Sequence, residues 1–365
     1  MATLTRPSNS TSQAVNTSPF FGRQLRGFTI KALVTLFTCT LLFVYLLPLG
    51  NMMLTSISTR EQLSQDASDQ VIPTAPVNFT YEGEEYPVYN VPMPDGTTQQ
   101  LALVDKHRSD SDFVDPANPD AGLINWEGSW RTLTPVRSFA PAFENFGIAW
   151  EQIEFPKVFA NTLIIAFVGM IGTLLSCICV AYAFARFPIP GKNIMFIILI
   201  GTIILPQQVT LIPTYAFFSR IGWTNTMLPL IVPHFFANAY NVFLLRQYFL
   251  TLPKELDEAA MIDGAGPFKV LTSVIIPQSW PAIIAVGVFH FVWAWNDFFG
   301  PLIYLIGAED LQPISVAVQR FNFAYGPHPE LIQATSMMAL VLPLIIFFLA
   351  QRVFMRGVVI TGVEK

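Results

Sequence analysis

The sequence predicts an all-α polytopic membrane protein of about six transmembrane helices, with a small β-like insert outside the membrane between the first and second. Three observations predict it. Hydrophobic side chains make up 52% of the 365 residues and charged ones only 12%, too apolar a balance for an ordinary soluble domain. The apolar residues gather into runs of membrane-spanning length. Most of the acids collect in one stretch, Ser56 to Lys157, so the net charge of −5 describes that stretch rather than the sparsely charged, basic remainder.

Residues 1–28 are rich in Ser, Thr and Asn, carry Arg6, Arg23 and Arg26, and read as a cytoplasmic tail. Asn9 and Asn16 sit in glycosylation sequons that a cytoplasmic segment leaves unmodified. Thr29 to Leu54 is the first span, in a segment bounded at 29–55. It is longer than a signal-peptide core and has no convincing cleavage site, so it is expected to be retained. The insert occupies 56–157. Within it Tyr86, Val88 and Val91 alternate with polar or smaller residues, and Pro94-Asp95-Gly96 is a turn signal before Leu101, Leu103 and Val104. Asp105 to Asp120 has carboxylates at roughly alternating positions but lacks the glycine and terminal Glu of a calcium-binding hand, so it reads as a solvated acidic loop. Trp130, Phe139, Phe143, Phe146 and Trp150 suit the outer membrane surface.

A core of further apolar spans follows at 158–355, with a short tail at 356–365. Its spans are Val158–Phe187, then Asn193–Tyr215, which Pro206 and Pro213 bend or end, and Asn225–Phe249 with Pro229 and Pro233. Gln278–Ile306 and Leu331–Phe354 complete the set. Lys and Arg gather on one side, at Arg186, Lys192, Arg246, Lys254 and Lys269 as well as both termini, while the short loops opposite keep Arg220 and Arg320. That asymmetry puts both termini and the 252–277 segment in the cytoplasm.

That segment, LPKELDEAAMIDGAGPFKVLTSVIIP from Leu252 to Pro277, is too polar for lipid. Leu252, Leu256, Ala259 and Ile262 recur at helical spacing, with Lys254, Glu255 and Asp257 on other faces. Pro253 suits a first turn, and Gly264, Gly266 and Pro267 stop the helix. Taken alone, it is either an interfacial connector or a docking element. Glu258-Ala259-Ala260, Gly264 three residues on, then Val274, Ile276 and Pro277 resemble the EAA loop of ABC importer permeases, with two mild aliphatic departures. In that family the loop is a coupling helix docked in a cleft of a separate ATPase. The resemblance therefore implies that Glu258, Ala259, Ala260, Asp263, Gly264 and Pro277 couple to the ATPase, and that the fold is of the type I importer kind.

Shorter matches fall in the same order along the chain. Asn161-Thr162-Leu163 and Ala181 to Arg186 resemble the N-(S/T)-L and AYA-x-AR signatures of the second span. Trp293 to Leu302 resembles the WN-(D/S)-F…PL segment of the maltose-type, carbohydrate-uptake branch, which points to Trp295, Asn296 and Asp297 as pathway-lining candidates. Gln351-Arg352, Gly357, Thr361-Gly362-Val363 and Lys365 resemble that branch's tail, which reaches between ATPase subunits. Gln351, Arg352 and Gly362 are the candidates there, although Glu364 precedes Lys365 and the final glycine is missing. The resemblance covers roughly 28–55 and 125–365 and leaves the β-like insert without an assigned role.

The residues themselves offer no catalytic set. Gly191-Lys192-Asn193 lacks the spacing and hydroxyl of a phosphate loop. Cys39, Cys177 and Cys179 lie in apolar runs with no histidine cluster, as packing residues do. His234 and His290 lie in spans without a carboxylate nearby in sequence and read as interhelical hydrogen-bonding residues. Asp297 is the acid placed within a span, a functional candidate by default. No metal, cofactor or nucleic-acid partner is expected, nor enzymatic activity in this chain. The expectation is one multi-pass subunit, in a prokaryotic plasma membrane, of a binding-protein-dependent ABC importer for a sugar or oligosaccharide. The resemblance implies as partners a second homologous permease, an ATPase dimer and an extracytoplasmic solute-binding protein. The alternatives are a polyamine, amino-acid or phosphate permease, an ion-coupled secondary transporter, and a membrane anchor whose insert binds the ligand.

Overall fold

The computed structural model describes residues 19–64, 72–94, 96–107, 109–323 and 327–359. The first helix, α1, runs from Pro19 to Ser56.

A β module follows. Its strands are Thr74–Pro76 (β1), Asn78–Tyr81 (β2), Glu84–Pro92 (β3), Thr98–Lys106 (β4), Asp110–Val114 (β5), Leu123–Glu127 (β6), Thr134–Pro135 (β7) and Arg137–Phe139 (β8). Strands β2 to β6 form an antiparallel meander, β7 adds to β3, and β1 pairs separately with β8. Period-two alternation buries both faces of β4: Leu101 and Leu103 pack with Val91 and Phe113 on one, Ala102 with Val88 and Val114 on the other. The acidic stretch expected as a loop is mostly hairpin here. Asp105 stands opposite Asp112 across β4 and β5 after a register shift, because Phe113 and Val114 draw β5 into the core while the carboxylates stay outside. Trp126 closes this core edge-on to Phe113 and donates its indole N–H to the Pro92 carbonyl at 3.0 Å, while Phe139, Phe143 and Trp150 are exposed.

The helices after the module are α2 (Glu144–Gln152), α3 (Phe155–Arg186), α4 (Lys192–Gly201), α5 (Gln207–Arg220), α6 (Leu228–Ile231) and α7 (Ala239–Thr251). Then come α8 (Glu255–Ile262), α9 (Pro267–Val270), α10 (Ile276–Gln278), α11 (Trp280–Trp295) and α12 (Phe299–Tyr304). The chain closes with α13 (Ile314–Ala317), α14 (Arg320–Phe323) and α15 (Pro329–Val359). Among the described residues, four helical stretches are long and apolar enough to cross a membrane: Gly27–Ser56, Phe155–Arg186, Leu228–Thr251 and Pro329–Gln351. Two bent pairs raise the number to six only if each is one span: Lys192–Ile204 with Gln208–Arg220 at 99°, and Pro267–Gln278 with Trp280–Trp295 at 82°.

Prolines explain most of the breaks. Pro206 caps α5 in extended conformation, since its ring clashes with a continuing helix. Pro229 and Pro233 reduce the start of the Leu228–Thr251 stretch to a short helix and a 3-10 turn, and α7 restarts where Asn238 Oδ1 accepts from the Asn241 N–H at 3.0 Å. The expected Gln278–Ile306 span is corrected at both ends. Gln278 belongs to α10, on the far side of the bend at Ser279. Asn296 to Phe298 then stop α11, leaving Asp297 beyond that helix rather than within it.

Helix α3 packs against α7 and α11, and α11 against α15. Glycines let α3 approach its neighbours closely: a Cβ on Gly172 would meet the Phe235 ring at 2.6 Å, and one on Gly169 would meet His234 at 3.0 Å and His290 at 3.1 Å. Cys177 is buried in this packing, while Cys39 and Cys179 are exposed, and all three are free thiols.

Candidate functional site

Two places concentrate polar chemistry in this apolar chain. The first is α8, whose eight residues begin three acids deep, with Glu255, Asp257 and Glu258 in the first turn, where the helix dipole favours negative charge. Gly264 follows the helix at φ +82°, and the Ala265 N–H bonds the Ala260 carbonyl at 2.9 Å. A Cβ at Gly264 would touch nothing, so the requirement for glycine is the left-handed backbone alone.

The apolar stripe of this helix faces outward. Leu252 is half-buried, yet Leu256, Ala259 and Ile262 face outward beside Met261 and Phe268, with Ile262 86% exposed. The residue turned inward is Asp257. Its Oδ2 lies 2.6 Å from Arg186 Nε at the end of α3, and the two side chains are 6% and 7% exposed. Burial pushes the Asp257 carboxyl above its ordinary value, and the Arg186 guanidinium pulls the other way. Arg186 Nη2 also donates to the Leu252 carbonyl at 3.0 Å, and Tyr182 Oη donates to the Pro267 carbonyl at 3.3 Å. The last turn of α3 thus grips the chain on both flanks of α8 and within it.

Of the residues expected to couple, Glu258, Ala259, Asp263 and Gly264 are exposed, and Ala260 packs half-buried against the core. Pro277 is exposed in α10, just after a π-helical turn at Leu271–Ile275. Gln351 is exposed near the end of α15; the side chain of Arg352 and the whole of Gly362 lie outside the described residues.

The second place is a pair of cavities among α5, α7, α11 and α12. One, of about 200 Å³, is lined by Asp297, Thr210, Thr214 and Tyr304 as well as apolar side chains. Asp297 Oδ1 accepts from the Gly300 N–H at 3.3 Å, the Asp297 carbonyl accepts from Ser315 Oγ at 2.7 Å, and Thr214 Oγ1 lies 3.0 Å from Tyr304 Oη. The other, of about 480 Å³, is lined by Asn238, Tyr240, Asn241 and His290 among others. His234 and Trp293 line both, with ring centres 5.6 Å apart, and His234 also meets His290 at 4.6 Å. Thr173 Oγ1 lies 3.2 Å from His290 Nδ1.

Only Asp297 of the three expected pathway residues lines a cavity. Trp295 is buried against Phe291 and edge-on to Phe159, and the Asn296 side-chain amide donates to the Val292 carbonyl of its own helix at 2.8 Å. Two residues along a helix turn the side chain by roughly 200°, so Trp293 faces the cavities while Trp295 faces the core.

Residues 172–359 match the family described as binding-protein-dependent transport system inner membrane component. The chain belongs to that family. This permease is 31% identical over 257 residues to the osmoprotective compounds uptake permease protein GgtD of Synechocystis, covering 69% of this chain and 85% of the relative. It is 29% identical over 227 residues to the alpha-glucoside transport system permease protein AglG of Rhizobium meliloti, covering 60% of each. Its fold resembles a chain of a bacterial ABC transporter involved in the import of the acidic polysaccharide alginate, with a TM-score of 0.60 and 20% identity over 92% of this chain and 99% of that one.

Sequence reasoning missed two groups in the permease. Asp257 was passed over because its partner, Arg186, stands far upstream at the end of another helix. His234 was read only as an interhelical residue and Trp293 only as part of a motif, because the cavity wall they share exists only once α11 lies beside the 3-10 turn of Val232–Phe235.

Proposed function

We propose that this permease moves a sugar or oligosaccharide across a prokaryotic plasma membrane, using ATP hydrolysed by a separate subunit that docks on α8. The observation that carries this reading is the orientation of α8: an exposed apolar face on a polar segment, anchored from within by a buried ion pair. An exposed apolar patch asks for a partner, and an anchor asks for something to transmit.

In this reading α8, both termini and the Arg352 tail lie in the cytoplasm, and the β module lies outside. Glu258 pairs with a basic group on the ATPase, and Ala259 and Ala260 leave room for close approach. When ATP closes the ATPase dimer, α8 moves with it. The Arg186–Asp257 pair and the Tyr182 bond pass that motion to α3, and the packed helices switch between inward- and outward-facing arrangements as rigid bodies. A second homologous permease completes the pathway and an extracytoplasmic solute-binding protein delivers the solute. The alpha-glucoside relative supports a sugar as the cargo, as do two cavities lined by hydroxyl, amide, imidazole and indole groups.

The test is uptake in vesicles carrying the whole importer. Glu258→Lys and Gly264→Pro are expected to insert into the membrane and to lose uptake while ATP hydrolysis continues. Wild-type uptake by both would overturn the docking role.

A further inference from the structure

We propose that the larger cavity, between α7 and α11, is a subsite for one uncharged sugar ring, so that this subunit touches the cargo itself. The inference rests on the sugar reading above and adds to it the residues and the charge class. Asn241 is 6% exposed and lines the cavity, yet its side-chain amide makes no hydrogen bond among the described residues. Polar groups inside a protein are nearly always satisfied, so an unpaired amide on the wall of a cavity points to a hydrogen bond supplied from outside the chain. Trp293 and Tyr240 add aromatic faces, about half exposed, of the kind on which the C–H face of a pyranose ring stacks.

Charge narrows the ligand. No Asp, Glu, Lys or Arg lines this cavity, whereas Asp297 lines the neighbouring one. A phosphate, a carboxylate or a polyamine would lie here without a counter-charge, at a heavy desolvation cost. A neutral ligand with many hydroxyls meets no such cost, and about 480 Å³ falls within the usual range for small-molecule sites. Because His234 and Trp293 line both cavities, the two are successive chambers separated by one aromatic partition, and the ring passes this partition on its way through.

The experiment uses the whole importer in proteoliposomes with its solute-binding protein. Uptake is measured for maltose, trehalose and an arabinose disaccharide, with spermidine, phosphate and glutamate as charged comparisons. Trp293→Ala and Asn241→Ala are each expected to raise the KM for the transported saccharide about tenfold while the uptake-to-ATP ratio stays wild type, and Trp293→Tyr is expected to restore most of the loss. Asn241→Ala keeps the helix, since the backbone N–H of Asn241 makes the α7 cap bond. If the wild type takes up a saccharide and both variants keep its KM, the subsite is wrong and the sugar reading survives. Loss of the second permease from the purified variants, with KM unchanged, would make these aromatic faces a subunit contact instead. A wild type that takes up only charged solutes, or none of the panel, overturns both readings together.

Discussion

Both ends of α3 are tied down by ion pairs, and the two attachments are opposites. At the amino-terminal end Lys157 reaches Asp310 and Glu154 in the open, with the Asp310 side chain 84% exposed. At the carboxy-terminal end Arg186 and Asp257 meet almost out of solvent. An exposed pair gains little because water and salt screen it and two long side chains must be held still. A buried pair gains no more in net terms, yet losing one member strands the other charge in a poor solvent. The amino-terminal end is fixed instead by neutral bonds. Asn161 Nδ2 donates to the Asp310 carbonyl at 2.8 Å and the Gln312 carbonyl at 3.2 Å, and the Ile314 N–H donates to Thr162 Oγ1 at 2.9 Å. The difference teaches that only the α8 end has its attachment staked on charge, so only there does a single substitution disconnect the helix.

Removing Asp257 should have the largest effect. Asp257→Ala leaves the Arg186 guanidinium buried without its partner, an expected loss of about 3–5 kcal/mol in a melt of the detergent-purified importer. Replacing both members by apolar residues, Arg186→Met with Asp257→Leu, should recover most of that. A double variant as unstable as the single one would break the comparison. Thr162→Val at the other end removes the acceptor of a buried N–H and is expected to cost about 1–3 kcal/mol in the same melt. Gly264→Ala should cost about 1–2 kcal/mol, because the alanine must adopt φ +82° in otherwise empty space; a change near zero would mean the turn relaxes without the glycine.

The smallest effect belongs to Asp310→Asn, whose melt should match wild type at high salt. Hydrogen bonding to Lys157 holds the Asp310 carboxyl below its ordinary value. Its contribution is therefore present above the ordinary carboxylate pKa of about 4 and lost as the pH falls through the lowered value. Wild type and Asp310→Asn melts at low salt should differ slightly near neutrality and converge below that range. A gap that persists at high salt would make this pair more like its buried counterpart.

Much of this was legible in the chain, and the reasons for the rest are physical. Long apolar runs marked α1, α3 and α15 because hydropathy needs no partner to be read. Prolines marked the breaks near Pro206 and Pro233, whereas at Asn296-Asp297 a helix break stood level with a pathway role, because no proline announces it and the run stays apolar beyond it. The alternation of Tyr86, Val88 and Val91 foretold a β module, whereas β5 was hidden by its acids until Phe113 and Val114 showed which way the pleat faces. The motif Glu258-Ala259-Ala260 with Gly264 singled out this segment as a candidate docking element. The direction that helix faces could not be read from it, since an apolar stripe looks the same whether a core or a partner covers it. Asp257 decides between them only when Arg186 is beside it. Trp293 and Trp295 differ by two positions and by opposite environments, a distinction set by the rotation of α11 against α3.

The most direct test of the account is co-purification of the ATPase with the permease carrying Ile262→Glu. That side chain is among the most exposed on the 252–277 segment, so the substitution should leave the permease's expression and melt unchanged. The account predicts that the ATPase is lost from the complex; an ATPase retained at the wild-type ratio would contradict it.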